Sequence, residues 1–141
     1  MPTLNETFPV SDPDHVWNVI SDLNKLVPCV PGARVTAADS PQSVKAQIDV
    51  RMGAMGMTFS GPVELASVDP RSRTVRIKAQ TKEAGGQSNA SGDVTISLNN
   101  GQGNVNAVAL VSGKAASMGE GTVVNVLTQL VRSFSANVGK A

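Results

Sequence analysis

His15 and Cys29 are the only histidine and the only cysteine among 141 residues, and neither stands beside a partner that would make it reactive. General acid–base catalysis needs positioned titratable groups, and a thiolate or hydroxyl nucleophile needs a base or a cation to activate it. His15 falls in the first turn of a helix, at the surface, without a second histidine or clustered carboxylates. Cys29 has no adjacent basic residue and reads as a half-buried small hydrophobe. One histidine and one cysteine cannot satisfy the usual ligation of zinc or copper. Gly113-Lys114 resembles the end of a phosphate-binding loop, yet the position where that loop needs its upstream glycine is Val108. The polar residues thus point away from catalysis and metal binding, and the informative chemistry is apolar.

Composition narrows the classes further. Lys and Arg number 12 against 11 Asp and Glu, a formal charge of +1, so no global field attracts a polyanion. Nucleic-acid binding wants basic clusters with stacking aromatics, but the chain has no Tyr, one Trp and three Phe. With 40% hydrophobic and 16% charged residues it is globular, and its length suits one domain over residues 1–141. A lone cysteine forbids an intrachain disulfide, and no basic-then-apolar leader opens the sequence, so the expected compartment is the cytoplasm. No apolar stretch approaches the roughly 20 residues that span a bilayer.

The elements follow from periodicity. Thr3 to Val10 reads as a strand, and Ser11-Asp12-Pro13-Asp14 opens a helix with Ser11 as its cap and Val16, Val19, Ile20 and Leu23 as its apolar face. Asn24 to Gly32 is too apolar for an exposed loop and predicts a short second helix stopped by Pro31-Gly32. The period then becomes two: apolar residues alternate with polar ones over 44–52, 57–66, 75–80 and 94–99, and Val105 to Val111 forms a further β run. Such one-sided alternation means an antiparallel sheet with one wet and one dry face. Val123, Val124, Leu127, Leu130, Val131, Phe134 and Val138 then recur at helical spacing, so a long terminal helix must cover the dry face. The predicted fold is α+β: a curved antiparallel sheet of six to seven strands wrapped around a C-terminal helix, with two short helices after the first strand. Dry-face positions such as Ala46, Gly61, Ala79, Gly92, Ala107 and Ala109 are small, which favours an internal cavity over a filled core.

Several signatures coincide with this plan. Trp17 follows the Asp12-Pro13 helix start, and Pro28-Cys29-Val30-Pro31-Gly32 follows the first helix. Phe59-Ser60-Gly61-Pro62 comes after a glycine-containing hairpin, and Asp69-Pro70 marks a later turn. Gly113-Lys114-Ala115-Ala116-Ser117-Met118-Gly119 enters the last helix. In this order and spacing the chain resembles the carbon monoxide dehydrogenase G-subunit family of the START/Bet v 1-like (SRPBCC) superfamily of helix-grip ligand binders. The resemblance implies an accessory protein of a molybdenum hydroxylase of the carbon monoxide dehydrogenase type, peripheral at the inner face of the cell membrane. It implies no cofactor. Many relatives continue into a membrane-associating C-terminal segment, whereas this sequence stops at Ala141. Whether the chain forms a homodimer is left open.

A hydrophobic small molecule, lipid or quinone-like, is therefore the expected partner between sheet and helix. The expected walls are Trp17 and Ile20 from the first helix, Leu26 and Cys29 from the segment after it, Ile48, Phe59 and Ile77 from the sheet, and Leu127, Val131 and Phe134 from the long helix. Val30, Met55, Gly119 and Gly121 are the expected mouth. Gly119 and Gly121 suit either close packing of helix on strand or a pliable lid, and Met55 sits at a hairpin tip that could touch a membrane. Met52 and Met57 have core parity. Two other readings stand beside the carrier. A polyketide aromatase/cyclase-like enzyme would need His15, Asp49 or Glu64 turned inward, and a structural adaptor would have a filled core with no cavity above about 100 Å³.

Overall fold

The computed structural model describes residues 3–141 apart from Gly53; the side chain of Met52 also lies outside the described residues. Strand β1 (Thr3–Pro9) leads to helices α1 (Pro13–Ile20) and α2 (Leu23–Leu26), the latter running into a 3-10 turn over Val27–Cys29. Strands β2 (Ala33–Ser40), β3 (Ser43–Met52), β4 (Met55–Asp69), β5 (Thr74–Glu83), β6 (Ser88–Asn99) and β7 (Gln102–Gly113) follow. A second 3-10 turn, Lys114–Met118, precedes α3 (Glu120–Lys140).

All neighbouring strands are antiparallel, in the order β1-β7-β6-β5-β4-β3-β2. The first and second strands therefore occupy opposite edges. The α1–α2 segment must cross from one edge to the other, and in doing so it closes one side of the concave face. Helix α3 lies within the concavity, chiefly against β1 and β7. Its C-terminal half carries the buried Phe134, Ser135 and Val138.

Helix α1 starts on Asp12 rather than on Ser11. Pro13 holds the first helical position, and the Asp12 carboxylate accepts from the His15 amide at 3.2 Å. The residue before a proline is pushed to extended geometry, which is the geometry a cap requires, so Asp12 takes that role. Strand β2 has no counterpart among the alternating runs. Its pairing with β3 shifts register between Val35 and Ala37 and again between Ala38 and Ser40, and each bulge breaks the period of two.

The main core joins both ends of the chain to the sheet. Ile20, Leu23, Val75, Ile96 and Val138 have essentially no exposure, and Trp17 packs half-buried against the same cluster. Phe8 on β1 lies against Gly103 on β7 and Gly139 on α3; a Cβ at Gly103 would fall inside the ring. A smaller cluster of Val50, Met57, Phe59 and Ala115 forms under the start of α3, and Met55, Val126 and Leu130 pack on it.

Candidate ligand cavity

Small residues cross the dry face in two rows. Ala46 pairs with Gly61, while Gly92 stands between Ala79 and Ala109. A side chain at Gly92 would meet nothing within 4 Å. Larger residues flank the rows, so the helix is held off the sheet at its edges and a void remains at the centre.

That void is a cavity of about 240 Å³. Its floor is β-sheet: Ala46 and Ile48, Phe59 and Val63, Ile77 and Ala79, Val94, Val105 and Ala107. Its roof is Leu130, Val131 and Phe134 of α3, and one end is closed by Leu23, Leu26, Val27, Val30 and Ala33. Thr81 and Gln47 are the polar members of the lining, and strand parity turns Gln47 toward the outer face. The Thr81 hydroxyl donates to the carbonyl of Ala90 at 2.8 Å, so it offers the interior no free proton. No lining residue carries an ionisable side chain.

Leu26, Ile48, Phe59, Ile77, Val131 and Phe134, expected as walls, are brought together here, and Val30, expected at the mouth, lines the same cavity. The remaining expected walls lie elsewhere. Ile20 is wholly buried in the main core and Trp17 packs beside it, because α1 turns its apolar face onto the core and not into the void. Cys29 is buried with its thiol directed back along the chain, where Sγ donates to the Lys25 carbonyl at 3.6 Å. Desolvation raises its pKa, as suits a structural thiol. Leu127 is half-buried a turn closer to the helix start than the residues that roof the cavity.

The expected mouth also changes. Met55 opens β4 with the inward parity of Met57 and Phe59, so it packs on the smaller cluster instead of standing at a tip. Gly119 and Gly121 line no part of the cavity, and an added Cβ at either meets nothing within 4 Å, which removes close packing as their explanation. Gly119 caps α3 with φ +99°, a geometry that glycine supplies. Ala46, Ala79 and Ala107 line the cavity as their small size on the dry face led one to expect, and Val27 lines it beside Leu26 and Val30. Leu23, Val63, Val94 and Val105 are walls that the residue pattern did not single out. Strand parity could have indicated the sheet members.

Charges keep to the outside. Asp49 is exposed, accepts from Thr58 Oγ1 at 2.8 Å and faces Arg34 at 3.6 Å. Arg76 and Asp93 pair across the outer face, with Arg76 Nε donating to Asp93 at 3.0 Å, and the guanidinium holds that carboxyl below its usual range. Glu64 and His15 are exposed as well. Among the described residues no group of three His, Cys, Asp or Glu side chains could hold a metal, and no helix is long and apolar enough to cross a membrane.

The same geometry recurs in known proteins. No curated protein sequence matches the chain. Among solved structures, a conserved protein from Geobacillus kaustophilus superposes with a TM-score of 0.75 at 19% identity, covering 96% of this chain and 90% of that one. The Zhui aromatase/cyclase from Streptomyces sp. R1128 gives 0.60 at 14% identity, over 99% of this chain and 92% of the other. Ara h 8.0201 gives 0.54 at 12% identity, over 99% and 96%. At these identities the likeness is one of fold, a curved antiparallel sheet gripping a long C-terminal helix. The family comparison is more specific: the chain matches over residues 7–141 and belongs to CoxG, the family of the carbon monoxide dehydrogenase G subunit.

Proposed function

We propose that the chain is a non-enzymatic accessory protein of a carbon monoxide dehydrogenase-type molybdenum hydroxylase, carrying a hydrophobic small molecule between its sheet and α3. The observation that carries this reading is the unfilled apolar space of about 240 Å³. The space is partly open to solvent, so its apolar walls meet water when it is unoccupied. A hydrophobic guest that displaces that water takes apolar surface out of contact with it.

Family membership supplies the partner, and the partner's chemistry suggests the guest. An oxidoreductase that delivers electrons to an acceptor dissolved in lipid is served by a carrier for a lipid or quinone-like molecule. The volume lies a little below the roughly 300–1,000 Å³ of drug-sized ligand sites. Only part of a long guest fits unless the walls move. Such a carrier works in the cytoplasm, in peripheral contact with the membrane that holds its cargo.

The cyclase-like alternative needs an acid or base aimed at the substrate, and the exposure of His15, Asp49 and Glu64 speaks against it. A filled-core adaptor would leave no void above about 100 Å³, below half of that observed. Native mass spectrometry of protein purified gently from its own host tests the carrier. A bound hydrophobic adduct is expected. A ligand-free species with no affinity for lipids or quinones would overturn the proposal.

A further inference from the structure

Beside the apolar cavity lies a second cleft of about 450 Å³ that mixes polar and apolar groups, and Leu130 forms part of the wall of both. One bank of the cleft is the outer face of α3, where Asn125, Gln129 and Ser133 stand at successive four-residue steps. Such spacing aligns them along a single stripe. None of the three side chains hydrogen-bonds to a described residue, and all are exposed. The other bank is the end of β3, Asp49 to Arg51, with Pro31 and Gly32 between.

The β3 bank is an open strand edge. Pairing of β2 with β3 ends at Ala33 and Ile48, although β3 runs on to Met52 against β4. The Asp49 amide donates to the Gly32 carbonyl at 3.1 Å, which fixes the odd-numbered residues of β3 as those bonding toward the β2 side. Arg51 therefore directs its amide and carbonyl into the cleft, with no described strand to receive them. Gly32 has φ +79°, and a Cβ there would come within 2.7 Å of the Asp49 carbonyl oxygen. The chain thus departs from β3 at the residue where a side chain would otherwise cover that edge. The Asp49 side chain is engaged with Arg34 and Thr58. Asp49 and Arg51 both border the cleft, but strand parity sends their side chains to the outer face of the sheet, away from α3. The groups aimed inward are therefore neutral: peptide N–H and C=O on one bank, amides and a hydroxyl on the other.

The geometry points to a head-group site: the cleft takes the uncharged, oxygen-bearing end of an amphiphile whose apolar part occupies the cavity beyond Leu130. This rests on the carrier reading and deepens it. The class implied has a hydroxyl, carbonyl or amide head, since a phosphate or ammonium would find no opposite charge among the groups aimed inward. The exposed edge spans only Asp49 to Arg51, at the lower limit for an added strand, so a small head group suits it better than a peptide.

Displacement of Nile red from the full chain by decanol, decyl phosphate and decylammonium tests the assignment, using wild type and the Gln129→Ala/Ser133→Ala double variant. Both substitutions fall on an exposed helix face, where alanine is the best helix former, so the fold is retained. Decanol should bind more tightly than either charged analogue, and the double variant should weaken decanol alone by about fivefold or more, the loss of at least one neutral hydrogen bond. Equal binding of all three amphiphiles, or a variant that weakens all or none, overturns the head-group site while the carrier stands. Failure of Nile red and of every amphiphile to bind overturns the carrier reading, and the site with it.

Discussion

Asn137, in the last turns of α3, donates from Nδ2 to the main-chain oxygen of Cys29 at 2.8 Å. The bond ties the helix that roofs the cavity to the segment that closes its end. Replacing Asn137 with Ala leaves the Cys29 carbonyl without this partner. A loss of about 1 kcal/mol is expected. For a chain of this size that lowers Tm by about 3–4 °C, measurable by calorimetry. No loss would mean that water replaces the amide without cost.

Ala79 lies on the cavity floor, paired with Gly92 across the β5–β6 ladder. Ala79→Leu should occupy part of the void, keep the fold and weaken guest binding, because the added side chain takes space the guest would use. The expected loss is about tenfold or more, read by dye titration, with circular dichroism unchanged. Phe134→Ala makes the opposite change. It enlarges the void and should cost about 3–5 kcal/mol.

Two neighbouring glycines should respond in opposite senses. Gly121 is helical and a Cβ there would stand in open space, so Gly121→Ala should stabilise by about 0.5–1 kcal/mol. Gly119 has φ +99°, and Gly119→Ala should destabilise although it meets no clash. Urea midpoints of the two variants against wild type would separate these outcomes.

Cys29 gives the fold a pH dependence. Burial raises its thiol pKa, so the native chain holds the proton after the unfolded chain has released it. The contribution is complete below the unfolded value, about 8.5, and is lost as pH rises from there through the folded value. Wild type should therefore lose stability relative to Cys29→Ala across that alkaline range. Alkylation of Cys29 should also lag behind that of a free thiol at pH 8. Equal alkylation rates would contradict the burial.

Much of this arrangement is legible in the residues, for identifiable reasons. The spacing of Leu130, Val131 and Phe134 announces the helix face, and the alternation around Ile48, Phe59 and Ile77 announces the sheet face, because both periods survive in the tertiary structure. Whether an apolar face meets protein or empty space is a non-local matter. Ile20 and Phe134 both carry helical periodicity, yet one is sealed in the core and the other borders the void. Strand β2 is invisible because its bulges interrupt alternation. The open end of β3 is equally hidden, since it depends on where another strand begins.

The pairing of Thr3 with Val108 sets an order of events. As the polypeptide emerges from the ribosome, β1 must wait for the last strand before it can enter the sheet, and α3 comes later still. Until then Phe8 and the future floor of the cavity have no cover. Closure over so long a sequence separation is slow. The nascent chain is therefore most exposed to misassociation just before its last strand and helix are made, and a chaperone that shields apolar strands would act during that interval.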